Sequence, residues 1–487
     1  MIDFTELENL KSGNTYFIKK GVYKDVEITI TGDGREDNYI TIEGGNDVVF
    51  EGKTSITIKG SYIVFKGFDF NGCSGNKIIK LEGDNLRFTN NEINGMENDM
   101  ETYLLVKGQY CRVDNNTFRN FDKVGCIVYF QNSKKKSCYG LLDGNNFNNR
   151  KLVKDATLSM VIVGNIKYPL LSSRVLVYNN FFNSCNGNVE IISVRSCDNI
   201  ILSNKITSCE GYINLKQGQR NKVIYNFLCG DLCNENFGGI KVFDKDHSII
   251  GNTFDTLITT NPLLSPVSIL CDSKNIKVMF NDFLQCYYCL SLGVSHNDNN
   301  KPTKLLIKNN RAVKCRGFFL TDDKNLGYDD STITENEILK RDIRLRLVNG
   351  NKLNKVNVKE FYEEKYNHKY LEDDFKVKPL MEMVIIGESK NSKLDRDDNK
   401  DVETMEITTP PKTPFNSLSS ENLVIEDDDD LETIDLNSDE DIGRDYLLED
   451  IFNSLYVLRE FRKTLIEYKK IEEKKSEMID KLIKLLK

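Results

Sequence analysis

Three charged side chains recur at a spacing that a regular fold would bring together. Glu190 and Arg195 stand near the two ends of Asn186-Gly187-Asn188-Val189-Glu190-Ile191-Ile192-Ser193-Val194-Arg195-Ser196, and Lys216 follows Arg195 by 21 residues in Gly211-Tyr212-Ile213-Asn214-Leu215-Lys216-Gln217-Gly218. A third segment, Gly238-Gly239-Ile240-Lys241-Val242, runs on through Lys245 to His247. Side chains alternate between the two faces of a strand. If one coil of chain takes about as many residues as separate Arg195 from Lys216, the two cations stack on neighbouring coils with Glu190 beside them. Two cations and a carboxylate on one face suit an acidic sugar, because fixed positive groups neutralise a uronate carboxylate. Lys241, Lys245, His247 and Tyr212 are the further candidates for substrate contact. The plainer readings are a Glu190 that only pairs with Arg195 or Lys216, and a Tyr212 and His247 that serve packing or a turn.

Such a site needs elements that repeat, and the chain supplies them. An asparagine, one residue, then an apolar residue returns as Asn91-Glu92-Ile93, Asn116-Thr117-Phe118, Asn145-Asn146-Phe147, Asn180-Phe181-Phe182 and Asn204-Lys205-Ile206, and on to Asn336-Glu337-Ile338. Steps of 22 to 35 residues between these asparagines mark a solenoid. Short alternating runs such as Ile40-Thr41-Ile42-Glu43 and Ile56-Thr57-Ile58-Lys59, with Gly, Asn, Asp and Ser between them, read as three strands per coil. The expectation is an all-β, right-handed parallel β-helix over residues 1–384. Its asparagines sit at tight turns in left-handed backbone conformation and bond to one another from coil to coil.

Beyond the repeat the character changes. Residues 385–440 are charged, then proline-rich at Thr409-Pro410-Pro411-Lys412-Thr413-Pro414, then acidic at Asp427 to Asp430; they read as a disordered linker. Residues 441–487 place Leu448, Ile451, Leu455, Leu458, Phe461 and Leu465 at steps of three and four, which predicts an amphipathic, coiled-coil-like α-helix that joins copies into a homo-oligomer or larger assembly.

Composition narrows the class. The chain has 487 residues, 39% of them hydrophobic, and no apolar run long enough to span a membrane. The start, Met1-Ile2-Asp3-Phe4-Thr5-Glu6, lacks the basic and apolar stretches of a secretory signal, so an intracellular or virion location is expected. The 13 scattered cysteines then read as reduced core thiols, and three histidines make an ordinary zinc site an unsuitable reading. Net charge is -8, but much of the acid lies in the tail, which leaves the solenoid fit for an acidic polysaccharide rather than nucleic acid.

The order N-G-x-x-E-I-I-S-x-x-S, then G-x-x-x-L-K-x-G, then G-G-I-x-V resembles the polysaccharide lyases that include chondroitinase B and alginate lyases, over about residues 1–380. Gly21-Val22-Tyr23 near the start is similar as well. The resemblance implies β-elimination beside a uronic acid, with calcium held by an asparagine and two glutamates, a lysine as base and an arginine one coil later. Carried over, the second glutamate falls on Glu190 and the first on Asn188; the lysine falls on Arg195 and the arginine on Lys216. The calcium-binding asparagine falls in or near residues 157–162, which offer Ser159. Calcium seeks several hard, negatively charged oxygens, and Glu190 with Asn188 supplies one carboxylate and one amide. Arginine holds its proton more tightly than lysine. The functions to weigh are therefore an active lyase on a glycosaminoglycan or alginate-type chain, a silent relative that binds acidic glycans, and a structural β-helix of a particle or assembly.

Overall fold

The computed structural model describes residues 1–347 apart from 8–9, 46, 152, 154–158, 187–189, 231–236, 260, 294–300, 322–330, 335 and 340–345. The chain forms two units, Met1–Pro411 and Lys412–Lys487, and every described residue belongs to the first. The linker and helix expected at 385–440 and 441–487, and the boundary at 384, lie outside the described residues.

Three parallel sheets of 13 strands each run the length of the described chain. Every strand pairs with the strand three places on in sequence, so each coil contributes one strand to each sheet. The all-β parallel solenoid expected from the repeat is the fold found, with no α-helix among the described residues.

Alternation decides what is inside. In the strand Glu190–Arg195, Ile192 and Val194 belong to the core, in register with Val161 and Val163 below and Ile213 and Leu215 above. Ser193 between them faces out, in register with Asn214 and Lys241. Ring stacks reinforce the core: Phe118, Phe147 and Phe182 lie at centroid spacings of 4.9 and 4.6 Å with nearly parallel planes. At the N-terminal end Phe4, wholly buried in the short 3-10 turn Phe4–Glu6, packs against Phe50 at 4.7 Å and closes the core.

The asparagine ladder is continuous. Each side-chain amide donates to the Oδ1 of its counterpart one coil on, at 2.8–3.0 Å, from Asn91 through Asn116, Asn145, Asn180, Asn204, Asn226, Asn252, Asn281 and Asn310 to Asn336. The same Oδ1 accepts the backbone N–H of the preceding asparagine. One detail differs from expectation. The left-handed residue is not the ladder asparagine but its predecessor: Asn90, Asn115, Asn179, Ser203 and Tyr225 have φ of 50–53°, and Gly144 and Gly251 take 61° and 66°. The turn is made first; the next amide, buried, then meets backbone groups that the turn leaves unpaired.

The described cysteines are free thiols, mostly buried, as expected of core residues. Among the described residues no helix is long and apolar enough to cross a membrane.

Candidate functional site

The third sheet carries the site on its outer face. Its strands Val161–Val163, Glu190–Arg195, Gly211–Gln217 and Phe237–Val242 pair in that order. Two register shifts, at Glu190/Ile192 and at Val194/Arg195, offset the ends of the second and third of these strands. The first puts Glu190 level with Tyr212; the second puts Arg195 level with Gln217, with Lys216 beside it.

The geometry gathers Glu190, Arg195 and Lys216. Lys216 Nζ donates to Glu190 Oε1 at 2.9 Å, and Asn214 Nδ2 donates to the same oxygen at 2.8 Å. Arg195 Nη2 stands 3.7 Å from Glu190 Oε2, which also accepts from Ser159 Oγ at 3.4 Å. The Glu190 side chain is only 1% exposed, whereas Arg195 and Lys216 keep 18% and 36%. The carboxylate is the buried hub and the cations reach towards solvent. Burial alone would push the Glu190 carboxyl up. Hydrogen bonds from Lys216, Ser193 and Asn214, with the Lys216 charge, outweigh it and hold the carboxyl below its usual range.

Lys241 joins the group one strand on. Its Nζ lies 3.4 Å from Tyr212 Oη and 5.0 Å from the Tyr212 ring centroid. Desolvation lowers its pKa; Glu190 opposes that fall and the Lys216 charge adds to it. Tyr212 is buried, and desolvation followed by the Glu190 charge raises its phenol, so it keeps its proton.

Other predicted residues fall elsewhere. His247 is fully buried: Nδ1 accepts the Asn221 backbone N–H at 3.1 Å and Nε2 donates to Phe243 O at 2.9 Å. Burial pushes its pKa down to about 4. It is the third member of a second ladder, after Asn199 and Asn221, so the expectation that His247 touches substrate is corrected: both ring nitrogens are spent on backbone. Lys245 lies exposed in the turn after the strand Phe237–Val242, pairing its backbone with Lys274. Asn188 lies outside the described residues.

Two supports were not foreseen. Asn214 sits midway between Tyr212 and Lys216 on the outward face, a place that alternation alone assigns to the site. Arg150 is 1% exposed and donates to Gly125 O at 2.6 Å, Lys123 O at 3.2 Å and Ser159 O at 3.3 Å. It thereby fixes the backbone of the serine that holds Glu190. No sequence repeat announces it, because its partners are carbonyls.

Among the described residues the calcium that the resemblance implies finds no fitting set of ligands. Both Glu190 oxygens already face cations, and among the described residues no cluster of three or more His, Cys, Asp or Glu could hold a metal ion.

The parallel solenoid is a fold this chain shares with solved polysaccharide lyases, and a family model extends the likeness to sequence. The chain belongs to the Chondroitinase B family, whose model matches residues 4–406. Similar solved structures include a mannuronic acid specific polysaccharide family 6 lyase from the human gut microbiota, at 19% identity and TM-score 0.61, covering 73% of this chain and 89% of that one. The PL6 family alginate lyase AlyGC is 20% identical with TM-score 0.65, covering 72% of this chain; this chain spans about half, 51%, of AlyGC. The PL6 family polysaccharide lyase Pedsa3628 from Pseudopedobacter saltans is 17% identical with TM-score 0.54, covering 71% and 94%. At these identities the likeness is one of fold. No curated protein matches the chain.

Proposed function

We propose that this polysaccharide lyase-like protein binds a uronic-acid polysaccharide, of glycosaminoglycan or alginate type, over the third sheet and cleaves it by β-elimination. The observation that carries the reading is the buried Glu190 carboxylate fixing Arg195 and Lys216 side by side at the surface. Held this way, the two cations meet a uronate carboxylate without reorganising. They withdraw charge from it and so acidify the C5–H. A base takes that proton, the electron pair of the broken C5–H bond forms the C4–C5 double bond, and the C4–O bond breaks with the leaving oxygen taking up a proton. Arg195 and Lys216 are the catalytic pair, and Lys241 and Tyr212 line the next position along the sheet.

A second reading keeps the binding and drops the cleavage. It is favoured by the state of the candidate bases: with Arg195 and Lys216 engaged on the uronate carboxylate, Tyr212 keeps its proton and both His247 nitrogens bond backbone, so neither is placed to take the C5 proton. One assay separates the two. Elimination makes a conjugated unsaturated uronate, so ultraviolet absorbance should rise on chondroitin, dermatan or alginate, and Arg195→Ala and Lys216→Ala should each abolish the rise. Flat absorbance on all three, with glycan binding kept, selects the binding protein; no glycan binding at all overturns the proposal.

A further inference from the structure

We infer that this site neutralises its acidic substrate without a metal ion, the Lys216 ammonium standing on Glu190 where a divalent cation would otherwise need that carboxylate. The inference rests on the proposed uronate-binding function and deepens it. It goes against the calcium that the family resemblance implies.

Charge comes first. Among the described residues Arg195 and Lys216 reach Glu190 and Lys241 stands one strand on, level with Asn214, three cations near one carboxylate. A site with that excess repels a divalent cation and attracts an anion. Calcium binding requires several oxygens with net negative charge. Here Glu190 Oε1 is held by Lys216 and Asn214, and Oε2 faces Arg195 and Ser159. A metal on Glu190 would have to displace an ammonium hydrogen bond in a buried setting.

A second observation points to a sugar. Asn214 is 3% exposed; its Nδ2 is committed to Glu190, and its Oδ1 is buried with no hydrogen-bond partner. A buried acceptor left unpaired is costly. A sugar hydroxyl beside the bound carboxylate would donate to it. The resulting receptor has cations for the carboxylate and a waiting acceptor for an adjacent hydroxyl, all on one rigid sheet.

The test uses the full chain, treated with a chelator, in two titrations. Calcium titrated into the protein by calorimetry should give no saturable heat, and thermal unfolding should not move with added calcium. Saturable binding in the millimolar range or tighter that disappears in Glu190→Gln would overturn the inference. Oligouronates of chondroitin, dermatan and alginate are then titrated with chelator and again with calcium. Affinity should agree within about twofold between the two conditions. Lys216→Met should weaken binding at least about tenfold, with no recovery on adding calcium, whereas Lys216→Arg should restore most of it. Recovery of the Lys216→Met variant by calcium would also overturn the inference. If no oligouronate binds under any condition, the glycan reading fails, and the calcium titration decides the metal question by itself.

Discussion

Two glutamates over the third sheet each lie between two cations, and the two sets behave as different objects. Near the N-terminal end Glu82 lies 3.9 Å from Lys59 and 3.4 Å from Lys107, with 29% of its side chain exposed and the lysines 49% and 43% exposed. Four strands further along the sheet, Glu190 makes the same kind of triplet at 1% exposure. Water screens the first set, so its charges attract each other weakly and hold no fixed geometry. The second set is screened far less, and Ser159 and Asn214 add hydrogen bonds that define where each group stands. Motif chemistry is the same in both; burial of the central carboxylate is what fixes the second set in place.

The sharpest way to break this contrast is by ligand binding. Arg195→Met should lower oligouronate affinity at least about tenfold, whereas Lys107→Met should change it by less than about twofold, measured by calorimetry. Equal losses would make both triplets mere contributors to a diffuse field. Stability gives a second, smaller contrast. Glu190→Gln leaves neighbouring cations without their counter-ion and should cost about 2–3 kcal/mol in urea unfolding at neutral pH, while Glu82→Gln should stay within about 0.5 kcal/mol. Acid sharpens it. The Glu190 carboxyl is lowered in the folded state, so its stabilisation is present above the unfolded pKa and is lost as pH falls through the folded one. Glu190→Gln should therefore flatten the unfolding curve below about pH 4.3, the ordinary glutamate value.

His247 sets a buried neutral group against that buried charge, on a different pH window. Its unfolded imidazole takes a proton near pH 6.5 and the folded one near about 4, so the unfolded state binds more protons between these values and stability falls as pH drops through them. His247→Asn continues the Asn199–Asn221 ladder, so it should fold and should remove up to about 3 kcal/mol of that fall by pH 4. A variant that unfolds at neutral pH, or that keeps the wild-type slope, would show that the imidazole is not an asparagine substitute.

Much of this was legible beforehand because a solenoid turns sequence distance into spatial proximity. The asparagine phrase marked the coils, and the 21 residues from Arg195 to Lys216 placed the two on neighbouring strands. What stayed hidden follows from the same logic. Register shifts at both ends of Glu190–Arg195 decide which cation reaches which oxygen, and no composition records a bulge. His247 looked chemical because histidine usually does. Its true place was written in the parallel of Asp198-Asn199-Ile200, Arg220-Asn221-Lys222 and Asp246-His247-Ser248, each just ahead of a first-sheet strand. Arg150 left no trace, since a guanidinium bonded to carbonyls follows no spacing rule.

The amide ladder holds constant contact while the chain between its members varies from 22 residues, Asn204 to Asn226, to 35, Asn145 to Asn180. In the longest interval the strands keep their usual three to five residues, and the surplus falls in 151–160 and 164–175, on either side of the third-sheet strand Val161–Val163. In that interval the spare length of the sequence thus falls before and after the third-sheet strand. A change of length there should leave the amide ladder in step, because each ladder asparagine sits at the turn between a first-sheet and a second-sheet strand, as Asn91 does between Arg87–Thr89 and Glu92–Met96.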